Sequence, residues 1–595
     1  MRNTWKRTLA FILSVVMLLG LTACSQTEPE QGGKESTAAS ETKAPETQGA
    51  QETRAPEEEL EPITLTWMVM NYSSPGIHTE ENPALKYIYD KLKIEIDFIS
   101  YDQDMLTLQA AGDDLADIVE LQYNIGSQLV ESEQIIPLDD LLEEYGQTVL
   151  ERWGDTLEVS RQNLGNGEHI YSIPRGKIEA NVDSPALDGA GGFYIRRDIY
   201  KAIGAPKMET RDELLNVLKQ MQDYARDYYG RDDIYGTAFK ATSGAGSNSC
   251  IFIQHDGYTW YDAGSAIHIE TGELKHMLTD PDSEQWDAIY FWNKAYRMGL
   301  LHPESFTNSD AYGLITSGKA LSGIQWGDTV LDKEEFGDTA LMTWVEGVFD
   351  YYLGIYESPA PLGGGVSNSA TAISANCEYP ERAMQLINFL NTDEGLRLIY
   401  NGVQGVDWDY VDGVPQYIGE VGAAYAKSAA DGDAARIKKC VDYAHTLANL
   451  GVNYVCDDGY PALLTLSAPY LASQIDSAYL AYVQDYDPEF TYPGQVYDKW
   501  IKEGTAKTDI SDKAAMIYGL RGLLSIENQQ KFQAANEVFK ANIASLLTAE
   551  SDDAFEKLKL EVIEKFLQVG LGDVDAEWEL LHAEAIQKYE DLLSK

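Results

Sequence analysis

The sequence predicts an α/β fold in which a parallel sheet carries helices on both faces. Two observations predict this class. From residue 63 onward, short stretches with strand character alternate with helical stretches, which is the pattern of a parallel sheet. In addition, 44% of the 595 residues are hydrophobic, so the chain has enough apolar side chains for a large core. A chain of this length is expected to form about three or four structural units.

The first elements follow one another closely. Residues 63–70 are β-branched and apolar and predict a strand, and residues 94–99 predict a second one. Between them, Leu85, Ile88 and Leu92 lie on one face of a short predicted helix. The pattern then repeats, with a helix over residues 106–111 and a strand over residues 117–121.

Sheets of this kind bind ligands beyond the carboxyl ends of their strands. Strand topology alone therefore marks the residues that follow the first and third predicted strands as candidate ligand-binding residues. These residues are Asn71, Tyr72, Gln122, Tyr123 and Asn124. They combine amide groups, which donate and accept hydrogen bonds, with the flat faces of tyrosine rings.

The first 24 residues have the parts of an export signal. Arg2, Lys6 and Arg7 give a positive start, and residues 9–19 form an apolar stretch too short to span a bilayer. The following Leu-Thr-Ala-Cys sequence, which ends at Cys24, resembles the lipobox of bacterial lipoproteins. This resemblance implies that the Cys24 thiol is acylated, as with palmitate, and anchors the chain to the outer face of the cytoplasmic membrane. An ordinary signal peptide with a chance cysteine is the alternative.

Residues 25–61 have a different composition from the rest of the chain. This segment is rich in Ser, Thr, Gln, Gly and Pro, and it holds ten glutamates and three basic residues. Because it has almost no large apolar side chains to bury, it is predicted to be a disordered acidic tether. Its mean span as a random coil is about 30–35 Å.

The overall charge excludes several classes of partner. The chain has 45 basic and 96 acidic residues, which gives a net charge of −51 at pH 7. Such a chain repels phosphate backbones and anionic head groups, so nucleic acid is not expected as a partner, and membrane contact is expected only through the lipid anchor.

The five cysteines contain no CxxC pair, which argues against a zinc ribbon or a thioredoxin-type site. Cys250, Cys377, Cys440 and Cys456 are expected to be thiols, with a Cys440–Cys456 disulfide as the alternative.

No catalytic motif is present. The sequence contains no HExxH, GxSxG, GxxxxGK[ST] or GxGxxG pattern. His169 and His255 are candidate acid–base residues, but surface-loop polarity is the preferred explanation for both. The acidic turns at residues 280–284 and 573–577 lack the EF-hand pattern, and the first is predicted to cap a helix instead. We therefore expect no enzyme activity, no metal and no cofactor.

Several segments, taken in order, resemble the extracellular solute-binding proteins of carbohydrate importers (family 1). The segments are residues 108–118, 134–141, 169–174, 193–198, 316–326, 373–396 and 401–408. The last is similar to a segment of the LplA-like lipoproteins of this family. No single motif is strong, and the resemblance is carried by the order and spacing of the segments. Residues 419–560 match no segment of the family.

The resemblance implies a two-lobed, periplasmic-binding-protein-like fold of the class II type. Each lobe would be a mixed or parallel sheet flanked by helices, with the ligand cleft at the hinge near residues 174–177 and 359–362. The implied divisions are a signal peptide over residues 1–24, a tether over 25–61, a first lobe over 62–175 and 361–415, a second lobe over 176–360, and a helical part over 416–595 that completes mainly the second lobe.

A sugar site combines planar hydrogen-bonding groups with aromatic faces for stacking. Besides the strand-end residues, the candidate ligand-binding residues are Tyr258, Trp260, Trp326, Asp328, Asp407 and Trp408. The segment that ends at Trp326 is similar to the one that brings a sugar-stacking tryptophan to the cleft in this family. The alternative is that Trp326 and Trp408 complete the core and that Tyr258 and Trp260 pack within the second lobe.

Together these observations predict a monomeric, lipid-anchored receptor of a Gram-positive bacterium. It would capture a carbohydrate, in particular an oligosaccharide, by hinge closure and deliver it to the permease subunits of an ABC importer. Two alternatives stay open at this point. One is a secreted carbohydrate-active enzyme, and the other is a receptor of the same fold that binds a peptide.

Overall fold

The computed structural model describes most of the chain after the predicted tether. The described residues are 60–70, 81–101, 112, 114–154, 156–165, 167–175, 191–240, 250–262, 264–307, 311–326, 329–352, 369–441, 447–452, 454–508, 512–522 and 524–593. Cys24, residues 25–59 of the predicted tether and the helix predicted over residues 106–111 lie outside these ranges.

The first lobe is built on a five-stranded sheet. In spatial order its strands are β2 (Ile94–Tyr101), β1 (Ile63–Met70), β3 (Ile118–Gln122), β13 (Ser369–Ile373) and β4 (Ile173–Pro174). Strand β1 pairs in parallel with both β2 and β3, which confirms the predicted parallel arrangement. Strand β13 runs antiparallel to β3 and β4, so the sheet is mixed. The strand predicted over 94–99 is two residues longer, and the one predicted over 117–121 begins one residue later.

Helices cover both faces of this sheet because its strands are apolar on both faces. Within β1, Trp67 and Val69 belong to one core cluster and Met68 belongs to another. The predicted first helix is confirmed as α1 (Pro83–Leu92), and the Asn82 side chain caps its start by accepting from two backbone N–H groups. The other helices of this lobe are α2 (Tyr123–Glu131), α3 (Asp139–Tyr145), α4 (Gln147–Trp153), α5 (Thr156–Leu164), α12 (Pro380–Leu390), α13 (Asp393–Asn401), α14 (Gly419–Tyr425) and α15 (Ala429–Ile437).

The second lobe has two sheets of its own. The larger has the spatial order β10 (Thr329–Val330), β11 (Leu341–Trp344), β5 (Gly191–Arg196) and β9 (Ser322–Trp326). The smaller consists of β6 (Tyr258–Asp262), β7 (Ser265–His268) and β8 (Leu274–His276). The helices between these strands are α6 (Arg197–Ala202), α7 (Arg211–Tyr229), α8 (Cys250–His255), α9 (Glu284–Arg297), α10 (Ala311–Thr316) and α11 (Lys333–Phe336), with a 3-10 helix over Pro303–Phe306.

The part of the chain that the sequence left unassigned is divided between the two lobes. Buried residues from Val441 to Ala462 join the core of the first lobe. The helices that follow join the core of the second lobe. These helices are α17 (Ser477–Gln484), α18 (Gly494–Glu503), α19 (Asp512–Leu520), α20 (Ile526–Leu547), α21 (Asp552–Gln568) and α22 (Leu571–Leu593). Their docking is specific, because the buried Asn293 amide of α9 donates to the carbonyls of Leu546, Leu547 and Ala549 at the end of α20 (2.8–3.1 Å).

The chain therefore crosses between the lobes a third time after Ala462. The third crossing contains a 3-10 helix (Leu464–Leu466) and α16 (Ala468–Gln474). On the first-lobe side, the Tyr470 ring packs against Tyr417 and Tyr425, with ring centroids 6.0 and 5.2 Å away. On the second-lobe side, Asp476 pairs with Lys333 at 2.6 Å. Helix α19 of the second lobe also contacts α5 of the first.

Two pairs of short strands complete the described fold. Strand β12 (Tyr351–Tyr352) pairs in parallel with β16 (Lys507–Thr508), and β14 (Trp408–Val411) forms a hairpin with β15 (Val414–Tyr417). Asp412 and Gly413 at the hairpin turn both have positive φ angles, of 53° and 83°. An Asp-Gly pair is well suited to a two-residue turn of this kind.

Cys377, Cys440 and Cys456 form no disulfide bond. Cys440 and Cys456 are buried and Cys377 is half-buried, so the alternative of a Cys440–Cys456 disulfide is not what the structure has. Burial raises the pKa of the Cys377 and Cys456 thiols to about 12. Both are therefore protonated at neutral pH and have little reactivity. The Cys250 side chain lies outside the described residues.

Candidate ligand-binding cleft

The carboxyl ends of the parallel strands in the first lobe lie along one edge of its sheet. Met70 ends β1 opposite Tyr101 of β2, and Gln122 ends β3 opposite Ser369 of β13. Strand β4 ends at the same edge with Pro174. This is the edge at which sheets of this kind bind ligands.

The sequence-predicted residues of the first lobe follow this edge. Asn71 and Tyr72 come directly after β1 and lie outside the described residues. Gln122 is the last residue of β3, as predicted, and Tyr123 and Asn124 begin α2 rather than a loop. For these three residues the structure describes the backbone only, so ligand contact by their side chains stays a prediction.

In the second lobe, Trp326 lies where the chain arrives from the first. It is the last residue of β9 and pairs with Gly191, the first residue of β5. Residues 176–190 connect β5 to the ligand-side edge of the first lobe, where β4 ends. The backbone position of Trp326 therefore favours the cleft over the far end of the sheet. Its side chain and Asp328 lie outside what the structure describes.

Tyr258 and Trp260 lie in β6 of the small second-lobe sheet. The Tyr258 ring is half-buried and meets the His268 ring edge-on, with centroids 5.1 Å apart. The Lys275 ammonium lies 5.6 Å from the centre of the same ring. These contacts account for the position of Tyr258 without a ligand. Trp260 pairs with Ala266 of β7, and its side chain is not described.

Asp407 and Trp408 have local roles in the first lobe. Their exposed fractions are 2% and 4%. The Trp408 indole N–H donates to the Gly402 carbonyl (3.1 Å), and the Asp407 carboxylate accepts from the Val403 N–H (2.9 Å). These contacts favour a structural role for both side chains, and ligand binding by them stays a prediction.

A buried polar group that the sequence analysis missed lies beneath the ligand-side edge of the first lobe. Arg175, directly after β4, pairs with Glu120 of β3 at 2.5 Å, and both side chains are less than 10% exposed. The Tyr101 hydroxyl donates to the backbone carbonyl of Glu120, and burial raises its pKa. Thr371 of β13 lies between the two strands and accepts from the buried amide of Asn449 at 3.1 Å.

One signal for this group was present in the sequence. Glu120 is a charged residue inside an otherwise apolar strand, and such a residue is expected to have a partner. Asn449 had no comparable signal, because it lies in the segment that matched no known pattern.

His255 is buried, so its assignment to a polar surface loop was wrong. It is 1% exposed and stacks on Phe349, with ring centroids 4.3 Å apart. Its Nε2 accepts from the Phe193 N–H (3.3 Å), and its Nδ1 lies 2.5 Å from the Tyr351 carbonyl oxygen and donates to it. Burial lowers the pKa of His255 to about 4, so the ring is neutral at pH 7. His169, in contrast, is exposed and bonded to Asp139.

The two acidic turns are occupied by protein groups. Residues 280–283 directly precede α9, and Ser283 is at the cap position as predicted. The Ser283 hydroxyl does not bond to the helix N-terminus and donates to the Met277 carbonyl instead. Residues 573–577 lie within α22, where Asp573 pairs with Lys531 and Asp575 accepts from the Thr279 hydroxyl. Across the described ranges, no group of three or more His, Cys, Asp or Glu residues is arranged to hold a metal ion.

Comparison with known proteins agrees with this architecture. The sequence model of the bacterial extracellular solute-binding proteins matches residues 78–396, a range that includes strands from both lobes. The chain belongs to this family. Within the residues that the structure describes, no helix is both long enough and apolar enough to cross a membrane.

Individual members of the family are distant in sequence. Lipoprotein LipO of Bacillus subtilis (strain 168) is 25% identical over 242 residues, which cover 37% of this chain and 45% of LipO. This chain therefore aligns with less than half the length of that curated relative.

Solved structures show the same fold over nearly the whole chain. The S. pneumoniae ABC-transporter substrate-binding protein FusA, in complex with kestose, superposes with a TM-score of 0.56 at 14% identity and covers 89% of this chain and 100% of its own. An HMO-binding, ABC-transporter-associated solute-binding protein from Bifidobacterium longum infantis superposes with a TM-score of 0.55 at 14% identity, covering 90% of this chain and 99% of its own. At these identities the similarity shows the two-lobed α/β fold.

Proposed function

We propose that this family member is the lipid-anchored receptor of an ABC importer and that it captures a carbohydrate outside the cell. The observation that carries the proposal is the family match over residues 78–396, which includes the ligand-side ends of β3 and β4 in the first lobe and the end of β9 in the second. FusA, which has the same fold, binds kestose, and the similar Bifidobacterium protein is an HMO-binding protein. Both facts support an oligosaccharide as the ligand.

The charge of the chain narrows the range of expected ligands further. With a net charge of −51, the protein disfavours the approach of uronates, sulfated glycans and other polyanions. A neutral oligosaccharide carries no such penalty, and its hydroxyl groups and apolar C–H faces suit amides and aromatic rings. The proposed ligand-binding residues are Asn71, Tyr72, Gln122, Tyr123, Asn124, Tyr258, Trp260, Trp326 and Asp328.

Capture would proceed by closure of the two lobes. Each lobe contributes part of the ligand contacts, so the ligand binds the closed arrangement more tightly than the open one. Binding therefore shifts the population towards the closed form, which the permease subunits would recognise. The connections between the lobes are the places where the backbone angles change.

Calorimetry of the purified soluble part against neutral oligosaccharides tests this function. Fructo-, xylo-, manno- and galacto-oligosaccharides form the panel, with oligo-uronates and cationic peptides as comparison ligands. We expect saturable binding of a neutral oligosaccharide and an unchanged sugar after prolonged incubation. Cleavage of the sugar would support a carbohydrate-active enzyme instead, and binding of peptides alone would support the peptide receptor.

The anchor is tested separately. We expect Cys24→Ser to shift the protein from the membrane fraction to the soluble fraction or to block its processing, because serine lacks the thiol that is acylated. Fractionation of cells that express each form measures this. A Cys24→Ser protein that is processed at the same site and stays with the membrane would contradict the anchor.

A further inference from the structure

The segment that contains Asn449 contacts β4 and β13, the strands at which the chain leaves and re-enters the first lobe. Strand β4 carries the chain out of the first lobe, and β13 carries it back. The segment that contains Asn449 continues through residues 454–464 to α16, which is the third crossing. This segment therefore bonds to the two first-lobe strands from which the other two connections start.

Asn449 contacts both strands through its side-chain amide. Its amide nitrogen lies 3.3 Å from the Ile173 carbonyl, 3.2 Å from the Pro174 carbonyl and 3.1 Å from the Thr371 hydroxyl oxygen. The first two acceptors belong to the outgoing strand, and the third belongs to the returning strand. The Asn449 side chain therefore joins β4 to β13 within a few residues of both crossings.

The amide is held in place by a second set of side chains. Asn449 is 1% exposed, and its carbonyl oxygen accepts from the Asn391 amide at 3.4 Å. The Asn391 carbonyl oxygen in turn accepts from the Trp153 indole N–H at 3.0 Å. Since Asn391 is fully buried as well, this chain of hydrogen bonds is shielded from water.

The same segment is bonded to the first lobe a second time, just before the third crossing. The Asn401 amide donates to the Ala462 carbonyl at 2.7 Å, and its side-chain oxygen accepts from the Leu464 N–H at 2.9 Å. Helix α16 begins four residues after Leu464. The third crossing thus starts from backbone that is fixed to the first lobe.

We propose that Asn449 is a positioning residue that ties the three connections together and thereby sets the angle between the lobes. Its side chain bonds to both β4 and β13 near the points where the chain leaves and re-enters the first lobe, and its own segment leads into the third crossing. The proposal deepens the proposed function, since it names the residue that governs closure. The role of Asn449 can be tested separately from the identity of the ligand that the cleft binds.

The angle between the lobes can be measured without any ligand. Spin labels attached through noncanonical amino acids at Lys86 in the first lobe and Asp223 in the second occupy exposed positions, and pulsed electron resonance gives their distance distribution. We expect Asn449→Ala to change the ratio of lobe orientations by about two- to tenfold, the range that corresponds to one lost buried hydrogen bond. Thr371→Val, which keeps the volume and removes only the β13 acceptor, is expected to act in the same direction with a smaller effect.

Asn388→Ala is the matched control. Its side-chain oxygen accepts from the N–H groups of Thr148 and Val149 at 2.8 and 3.2 Å, within the first lobe and away from the connections. We expect it to lower the melting temperature without changing the distance distribution. Distributions that are unchanged in Thr371→Val and in any folded Asn449→Ala protein would overturn the proposal, and so would an equal change in Asn388→Ala. Because no ligand is used, a failure to bind sugar does not affect the result.

Discussion

At the scale of single residues, the contacts of Trp408 and the strand-end position of Trp326 predict different roles for the two tryptophans. Trp408 is 4% exposed, and its indole N–H is already bonded to the Gly402 carbonyl. Trp326 ends a strand at the edge where the chain enters the second lobe. The same residue type therefore has two different expected roles, which mutation can separate.

We predict that Trp408→Ala lowers the free energy of unfolding by about 3–5 kcal/mol, because it leaves a large cavity in a packed site. In contrast, Trp326→Ala is expected to weaken oligosaccharide binding by about ten- to hundredfold while folding is retained, because a stacking face is lost. Urea denaturation and calorimetry on both variants measure the two effects. If Trp326→Ala melts far lower yet binds normally at low temperature, Trp326 is a core residue.

His255 gives a prediction about pH. Its pKa in the folded protein is about 4, below the usual 6.5, because burial disfavours the charged ring. As pH falls, the unfolded chain takes up this proton first, so the stability that His255 contributes is complete above about pH 6.5 and is lost as pH falls towards 4. A charged ring would also turn an Nε2–H towards the Phe193 N–H, which now donates to it.

We expect the urea midpoint of the parent protein to fall more steeply between pH 6.5 and 4 than that of His255→Gln. Glutamine can donate to the Tyr351 carbonyl and accept from Phe193, but it does not titrate. His169→Gln is the control, since His169 lies at the surface with an exposed side chain. Parallel pH profiles for the parent and His255→Gln would contradict the assignment of His255 as a buried neutral base.

At the scale of elements, the sequence predicts those strands and helices whose formation depends on a local residue pattern. Strand β1 and helix α1 have the composition and spacing of a buried strand and an amphipathic helix, so the bounds of the strand and the position of the helix could be predicted from the sequence. The burial of His255 could not, because it depends on Tyr351, 96 positions along the chain. Asn449 is likewise defined by acceptors 78 to 276 positions away. The third crossing is short and carries no pattern that marks it as one.

The segment that leads to this crossing is fixed to the first lobe by buried charge. Arg397 of α13 is 2% exposed, and its guanidinium donates to both carboxylate oxygens of Asp458 at 2.8 and 2.9 Å. The same group lies 5.4 Å from the centre of the Trp408 ring. It therefore links the segment to the β14–β15 hairpin as well.

We predict that Arg397→Met lowers the free energy of unfolding by about 2–4 kcal/mol, because it leaves the Asp458 carboxylate without its cation in a largely buried site. Lys86→Met removes an exposed i,i+4 ion pair with Asp90 and is expected to change the same quantity by less than about 0.5 kcal/mol. Chemical denaturation of both variants provides the comparison. An equally small effect at both positions would show that the Asp458 pair does not hold the segment.

At the scale of the whole molecule, two lobes with separate cores are joined by three connections, and the ligand-side strand ends of both lobes lie next to those connections. A ligand that contacts both lobes must therefore bias the angle between them. The net charge of −51 acts over the same distances and disfavours the approach of polyanionic ligands. We therefore propose capture by closure as the way in which this architecture acts on its ligand.

The most direct test of capture by closure is the distance between labels at Lys86 and Asp223, measured with and without the neutral oligosaccharide that binds in calorimetry. Closure predicts that saturating sugar shifts the distribution to a single distance that differs from the main distance of the sugar-free protein, and that Trp326→Ala needs a proportionally higher sugar concentration to reach the same end point. A distribution that does not change when the sugar is fully bound would contradict capture by closure.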